Sequence, residues 1–186
     1  MTFDQLFKQI SSEEICDNLF NVLGKLPGND TVITAGKKDH YNSMIGSVTG
    51  LAFLFNKPTT WCILREDRYT LEMIQKEQTY TLSYFPKEYK KQIYFLASKS
   101  GRDSEKMKEV ELTSVQTPSG EMSFKEAKLI IECKLTISTT VNPNDIYAQE
   151  VKDNVKEEYI EASHYRKFVF GEITSVWVKK YGTTKA

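Results

Sequence analysis

Residues 168–178 read Phe-Val-Phe-Gly-Glu-Ile-Thr-Ser-Val-Trp-Val, and both alternating sets are apolar. Phe168, Phe170, Val176 and Val178 form one set, and Val169, Ile173 and Trp177 the other. β-Branched and aromatic residues at this density favour a strand, and a strand apolar on both faces is buried on both. This stretch therefore predicts a barrel wall whose outside is covered by a helix or by another subunit. A second strand is predicted over 127–137. There Ala127, Leu129, Ile131, Cys133, Leu135 and Ile137 face one way, while Lys128, Glu132, Lys134 and Thr136 mostly face the other.

The rest of the chain supplies more strands and only short helices. Phe3, Leu6, Phe7 and Ile10 fall at helical spacing, and Ser11 with Glu14 has the spacing of a capping box. That box opens a second short helix through Asn18, Leu19 and Val22, before the turn Pro27-Gly28-Asn29-Asp30. Strands are predicted over 31–35, 42–54, 59–64 and 79–85, with Asn56-Lys57-Pro58 as a tight connection. A helix over 70–76 has Thr70 as its expected cap and Glu72 in its first turn. An amphipathic helix over 87–98 carries Tyr89, Ile93, Leu96 and Ala97 on one stripe. Asp103 is the expected cap of a short helix through Met107. This order argues for a mostly β, antiparallel barrel with short helices. No Gly-x-Gly-x-x-Gly turn links a strand to a helix, which argues against a Rossmann domain. One domain is expected over 1–186, with a short helical lead (about 1–25) and a charged surface excursion (about 142–162).

Composition narrows the function. With 25 basic and 25 acidic residues the net charge is zero, so the basic excess typical of nucleic-acid or anionic-membrane binders is missing. Cys16, Cys62 and Cys133 are far apart, which argues against a metal or redox pair, and Cys62 and Cys133 read as buried small hydrophobes. The first residues lack the charged and apolar regions of a signal peptide, and the longest apolar run, 51–55, cannot span a bilayer. A cytoplasmic setting is the expectation.

Three polar clusters interrupt the apolar pattern. They are Asn42-Ser43-Met44 with Ser47 and Thr49, then Arg65-Glu66-Asp67-Arg68-Tyr69-Thr70, then Ser98-Lys99-Ser100-Gly101-Arg102-Asp103 with Lys106. Singly, each reads as solvated surface or as a turn. Together they hold what a phosphate needs: guanidinium forks, small hydroxyls, a glycine and a helix start.

These segments resemble the flavin reductase-like, FMN-binding split-barrel family. Tyr41-Asn42-Ser43-Met44 is similar to its Asn-x-Met segment. Lys57-Pro58, then Arg65 to Thr70, resembles its Lys-Pro strand and Arg-x-x-Arg-Tyr-Thr segment. Ser98 to Lys106 resembles its Ser-Gly-Arg-Asp loop, and Glu132-Cys133-Lys134 and Phe170-Gly171-Glu172-Ile173 follow in order. The resemblance runs from about Val32 to Lys179. It implies an antiparallel Greek-key split barrel that binds FMN, usually as a homodimer with flavin near the subunit boundary. It places Asn42, Ser43, Met44 and Ser47 along the flavin, and Arg65, Arg68, Tyr69 and Thr70 near the ribityl chain or phosphate. Ser98, Lys99, Ser100, Gly101, Arg102 and Lys106 would complete the phosphate cradle. His164 stands where many relatives have a His, and a substrate-side role is the expectation. Ile45 and Val48 depart from the Thr and Trp that the family often carries there.

The implied chemistry is hydride transfer from NADH or NADPH to FMN, with electrons passed on to flavin, another small acceptor or an electron-accepting protein. No Ser-His-Asp set, carboxylate pair or metal cluster is needed, and no protein side chain is assigned as catalytic. The alternatives are a non-enzymatic FMN carrier or sensor, a pyridoxamine-phosphate-oxidase-like enzyme on the same barrel, and a structural dimer with degenerate clusters.

Overall fold

A computed structural model of the chain describes residues 2–11, 31–46, 49–156 and 165–180. The predicted helix opened by Ser11 and Glu14, the turn at 27–30, Cys16, Ser47, Val48 and His164 lie wholly or partly outside the described residues. The strands are β1 (Phe7–Ile10), β2 (Thr31–Lys37), β3 (His40–Gly46), β4 (Thr49–Leu54) and β5 (Lys57–Arg65), then β6 (Thr79–Tyr84), β7 (Ser114–Gln116), β8 (Met122–Phe124), β9 (Leu129–Thr140) and β10 (Arg166–Lys179). The helices are α1 (Phe3–Leu6), α2 (Tyr69–Glu77), α3 (Lys90–Ser98), α4 (Lys106–Glu109) and α5 (Gln149–Lys156). Among the described residues, no helix is long and apolar enough to cross a membrane.

The main sheet runs β3-β2-β6-β9-β10-β5-β4, every pair antiparallel, and β7 and β8 form a separate hairpin. β3 and β4, at opposite ends of this order, are joined through only residues 47 and 48. The hydroxyls of Thr31 and Thr49 lie 3.2 Å apart across that junction. A sheet whose two end strands are so closely tied must curl, which gives the barrel. β10 pairs with β9 along one edge. Its other edge is shared by β5, against Arg166–Glu172, and by β1, against Val176–Lys179.

Two apolar layers follow. Inside, Ile33, Cys62, Leu82, Ile131, Cys133, Val169 and Val176 pack with Leu71 and Ile74 of α2. Burial pushes the Cys133 thiol up to about 12, and burial with Cys133 beside it pushes the Cys62 thiol higher, so both are protonated core groups. Outside, Phe3, Phe7, Val32, Ile93, Leu96, Phe124, Ile130 and Trp177 form a second layer under α1, α3 and the β7–β8 hairpin. The Trp177 indole donates to buried Glu132 at 2.7 Å, and Ser119 donates to the same carboxylate. Thus α1 and β1 cover the outer face of β10 near Trp177. Near its start, Phe168 and Phe170 stack, Trp61 lies tilted against Phe168, and all three remain half-buried.

Several expectations change. Of the helical spacing over 3–10 only Phe3–Leu6 is helix; Phe7–Ile10 is a strand, because pairing with β10 outweighs so short a periodicity. The expected strand 42–54 is two strands, bound to opposite ends of the sheet. The β4–β5 turn is Phe55-Asn56, both with positive φ (52° and 59°), and Lys57 and Pro58 already pair with β4. An extra residue at Thr174 bulges β10, so Val176 joins Val169 and Ile173 inside rather than Phe168 and Phe170 outside. Ala127 precedes β9 and faces the outer layer. In the α3 stripe, Ile93 and Leu96 are buried while Ala97 is exposed.

Gly171 lies against Tyr80, whose hydroxyl shares a 2.8 Å hydrogen bond with Thr60 in the barrel core. A methyl group there would overlap the phenol. Gly171→Ala is expected to destabilise the fold by about 1–3 kcal/mol, the usual range for overpacking. Urea unfolding measures this, and an unchanged midpoint would show that the barrel yields at this point.

Candidate functional site

A cavity of about 390 Å³ opens where the barrel wall ends. β3 contributes Asn42, Met44 and Ile45, and the end of β5 contributes Ile63, Leu64 and Arg65. The turn into α2 contributes Asp67, Arg68, Tyr69 and Thr70. The end of α3 and its loop contribute Leu96, Ala97, Ser98, Lys99, Ser100 and Gly101, and Lys106 and Arg166 complete the lining. The three polar clusters, distant in sequence, therefore line one cavity. Among the lining residues five are cationic, Arg65, Arg68, Lys99, Lys106 and Arg166, and Asp67 is the one carboxylate.

The local structure explains how these groups are held. α2 starts without a side-chain cap, its Arg68 N-cap extended. The helix N-terminus thus adds its partial positive charge to this lining. Thr70, the expected cap, instead accepts a 2.8 Å hydrogen bond from the Asn42 amide nitrogen. That bond orients Asn42, which is 3% exposed, and leaves its buried Oδ1 with no hydrogen-bond partner. Gly101 sits against this amide, where a Cβ would overlap it. A buried, unpaired acceptor on a cavity wall is suited to a ligand hydroxyl or N–H. Asp67 grips Arg65 from Nε and NH2, at 3.2 and 2.7 Å. Tyr69 shares a 2.9 Å hydrogen bond with His40.

Lys106 is buried, and its ammonium donates to the carbonyls of Leu96 and Lys99 at 2.9 and 3.1 Å. It thereby ties α4 to the end of α3. Burial, with the Arg68 charge second, pushes its pKa down to about 8. Lys99 turns its ammonium toward Glu109 at 2.5 Å, and the Ser98 hydroxyl donates back to Phe95. The Ser100 hydroxyl accepts from the Arg102 amide at 3.2 Å.

Not every expected site residue comes to the cavity. Ser43 is fully buried on the other face of β3, 2.8 Å from Thr34. Side chains alternate along a strand, so Asn42 and Ser43 cannot face the same way. Arg102 does not line the cavity: its guanidinium pairs with Glu72, donates to the Asp67 carbonyl at 3.0 Å and lies over the Tyr69 ring at 5.5 Å. Asp103 does not cap α4, whose N-cap is Glu105. Ser47 and His164 lie outside the described residues. Arg166 was not anticipated. Its signal is positional: it opens β10 and sits directly opposite Arg65 on β5. Like charges in such a pair repel, so the pair is suited to an anion.

The depressed Lys106 pKa has a signed consequence. The unfolded chain holds this proton up to about pH 10.5, whereas the folded chain releases it near 8. Folding is therefore opposed below about pH 8, and the penalty fades as pH rises toward 10.5. The stability difference between wild type and Lys106→Met is expected to shift toward wild type across that window. Urea titrations at a series of pH values measure it, and a flat difference would contradict the burial argument.

A comparison with curated proteins finds none that matches the chain in sequence. Solved structures do match in fold. An FMN-binding protein from Thermus thermophilus, solved with 1-cyclohex-2-enone bound, is 16% identical with a TM-score of 0.62, covering 83% of this chain and 72% of that one. An FMN-binding domain of a flavin reductases-like enzyme from Shewanella baltica is 12% identical with a TM-score of 0.66, covering 92% and 76%. The flavoredoxin of Desulfovibrio vulgaris is 20% identical with a TM-score of 0.59, covering 83% and 72%. The sequence model described as "Flavin reductase like domain" matches residues 23–183. The antiparallel barrel with short helices agrees with that match over most of its length, and the chain belongs to the flavin reductase like domain family.

Proposed function

We propose that this chain binds FMN in the cavity described above and works as an oxidoreductase that takes hydride from NADH or NADPH. The observation that carries this reading is the buried, unpaired Asn42 Oδ1 in a cavity that five cations and an uncapped helix start also line. That combination suits a ligand with a phosphate at one end and polar groups along its length. Arg65, Arg68, Lys106 and the backbone at Ser100-Gly101 would hold the phosphate. Asn42 and Thr70 would meet a ribityl hydroxyl or a ring N–H. Met44, Ile45 and Ile63 supply the apolar surface a flavin ring requires. FMN, when bound, supplies the hydride-accepting chemistry. The protein binds, orients and excludes water. A reducing, cytoplasmic setting is part of the proposal, in keeping with the free thiols of Cys62 and Cys133.

A homodimer belongs to the same proposal. Trp61, Phe168 and Phe170 form a half-buried aromatic face, Trp61 lies against Gly50, and Phe53 and Phe55 are 65% and 78% exposed. Ile63 and Arg166 connect this face to the cavity, so a second copy seated there would adjoin the site. The reading as a carrier without turnover keeps one supporting observation. Ile45 lines the cavity where relatives often place a hydroxyl.

Two measurements follow. Purified protein, reconstituted with FMN, is expected to show a bound-flavin spectrum and to bleach anaerobically on adding NADH or NADPH. Bound flavin that resists both would favour the carrier, and absence of binding would refute the FMN reading. Light scattering at micromolar concentration is expected to give a dimer, and Phe170→Glu a monomer. A monomeric wild type would remove the dimer from the proposal.

A further inference from the structure

Arg102 joins two walls of the cavity from outside it. It follows Ser100 and Gly101, which line one wall, and reaches across to the segment that carries Asp67, Tyr69 and Thr70. Three contacts hold it there: the Glu72 carboxylate, the Asp67 carbonyl at 3.0 Å and the face of the Tyr69 ring at 5.5 Å. These are a charge pair, a charged hydrogen bond and a cation–π contact, on three different residues of the 67–72 segment. Glu72 lies in the first turn of α2, where a carboxylate is also favoured by the helix dipole. Tyr69 is held from its other end by His40. Lys106 anchors the start of the 98–103 loop through the Lys99 carbonyl at 3.1 Å. Past Lys99 its backbone bonds are local: the Ser100 carbonyl accepts from Asp103 N–H at 3.4 Å and the Ser104 hydroxyl at 2.7 Å, and Arg102 N–H donates to the Ser100 hydroxyl at 3.2 Å.

We infer that Arg102 is a positioning residue, a strap anchored by Glu72 that holds the 98–103 loop against the start of α2. On this view it does not bind the ligand itself. This deepens the FMN reading and rests on it for the ligand, although the strap itself belongs to the protein alone. A strapped loop presents the Ser100-Gly101 backbone to Asn42 and Thr70 at a fixed distance. A released loop must be ordered by the ligand, which weakens binding and speeds departure.

The sign of the Glu72 variant separates a strap from a ligand. If Arg102 straps the loop, Glu72→Gln and Arg102→Ala act in the same direction, Arg102→Ala at least as strongly because the Asp67 and Tyr69 contacts go too, and the double variant is no worse than Arg102→Ala. If Arg102 binds the phosphate, Glu72→Gln frees the guanidinium and tightens binding while Arg102→Ala weakens it.

The first arm uses the ligand-free full chain. Amide hydrogen exchange of the segment 96–105 is expected to quicken about three- to fivefold in Glu72→Gln, the scale of an exposed ion pair, at least as much in Arg102→Ala, and no further in the double than in Arg102→Ala. The second arm titrates FMN into the same proteins by fluorescence, with circular dichroism as the folding control. Weaker binding in both single variants, with faster dissociation, is expected. Unchanged exchange in the single variants, or tighter binding in Glu72→Gln, would overturn the strap. If wild type fails to bind FMN, the FMN reading falls, and the exchange arm still decides the strap.

Discussion

The structure depends on β10, a fourteen-residue strand hydrogen-bonded along one edge to β9 and along the other to β5 and then β1. A strand with three partners cannot lie flat in all of them. The bulge at Thr174 resolves the conflict by one added residue, which rotates the remainder of the strand. Before it, Val169 and Ile173 face inward. After it, Val176 faces inward and Trp177 outward, where Phe3 packs edge-on at 5.0 Å. The same rotation brings Trp177 to Glu132, so a buried carboxylate gains a second donor beside Ser119.

The site follows from where that wall stops. β5 and β10 end at opposed arginines, Arg65 and Arg166, just beyond the last interior apolar positions. α2 then turns its N-terminus toward the gap, and Leu71 and Ile74 anchor it in the barrel core. On the far side, Ile93 and Leu96 fix α3 in the outer layer, so the loop after it reaches the same gap. Lys106 closes that corner by bonding two carbonyls at the end of α3. The apolar layers thus place the cations. The lowered pKa of Lys106 marks the desolvation cost of keeping one of them buried.

Much of this was visible in the sequence. The two-sided strand announced a covered wall, and eleven expected site residues, Asn42, Met44, Arg65, Arg68, Tyr69, Thr70, Ser98, Lys99, Ser100, Gly101 and Lys106, line one cavity. What sequence could not supply was the choice among partners. Arg102 has a neighbouring carboxylate in Asp103, yet it pairs with Glu72, thirty residues away, because only the fold brings α2 beside the loop. Thr70 has the chemistry of a cap, yet its hydroxyl accepts from Asn42 on β3. Ser43 failed for a simpler reason, the strict alternation of a strand. Phe7 to Ile10 failed because two turns of helical spacing carry little weight against four residues of pairing with β10.

The central claim is that the gap between β3, the 65–70 turn and the 98–106 loop holds the flavin. Backbone amide NMR of the full chain during an FMN titration tests it residue by residue. The expected shifts cluster on residues 42–45, 65–70 and 96–106, with the β7–β8 hairpin unmoved. Saturable shifts confined elsewhere, such as the groove between β1 and residues 173–176, would contradict the claim, because the polar clusters would then line a cavity that FMN does not enter.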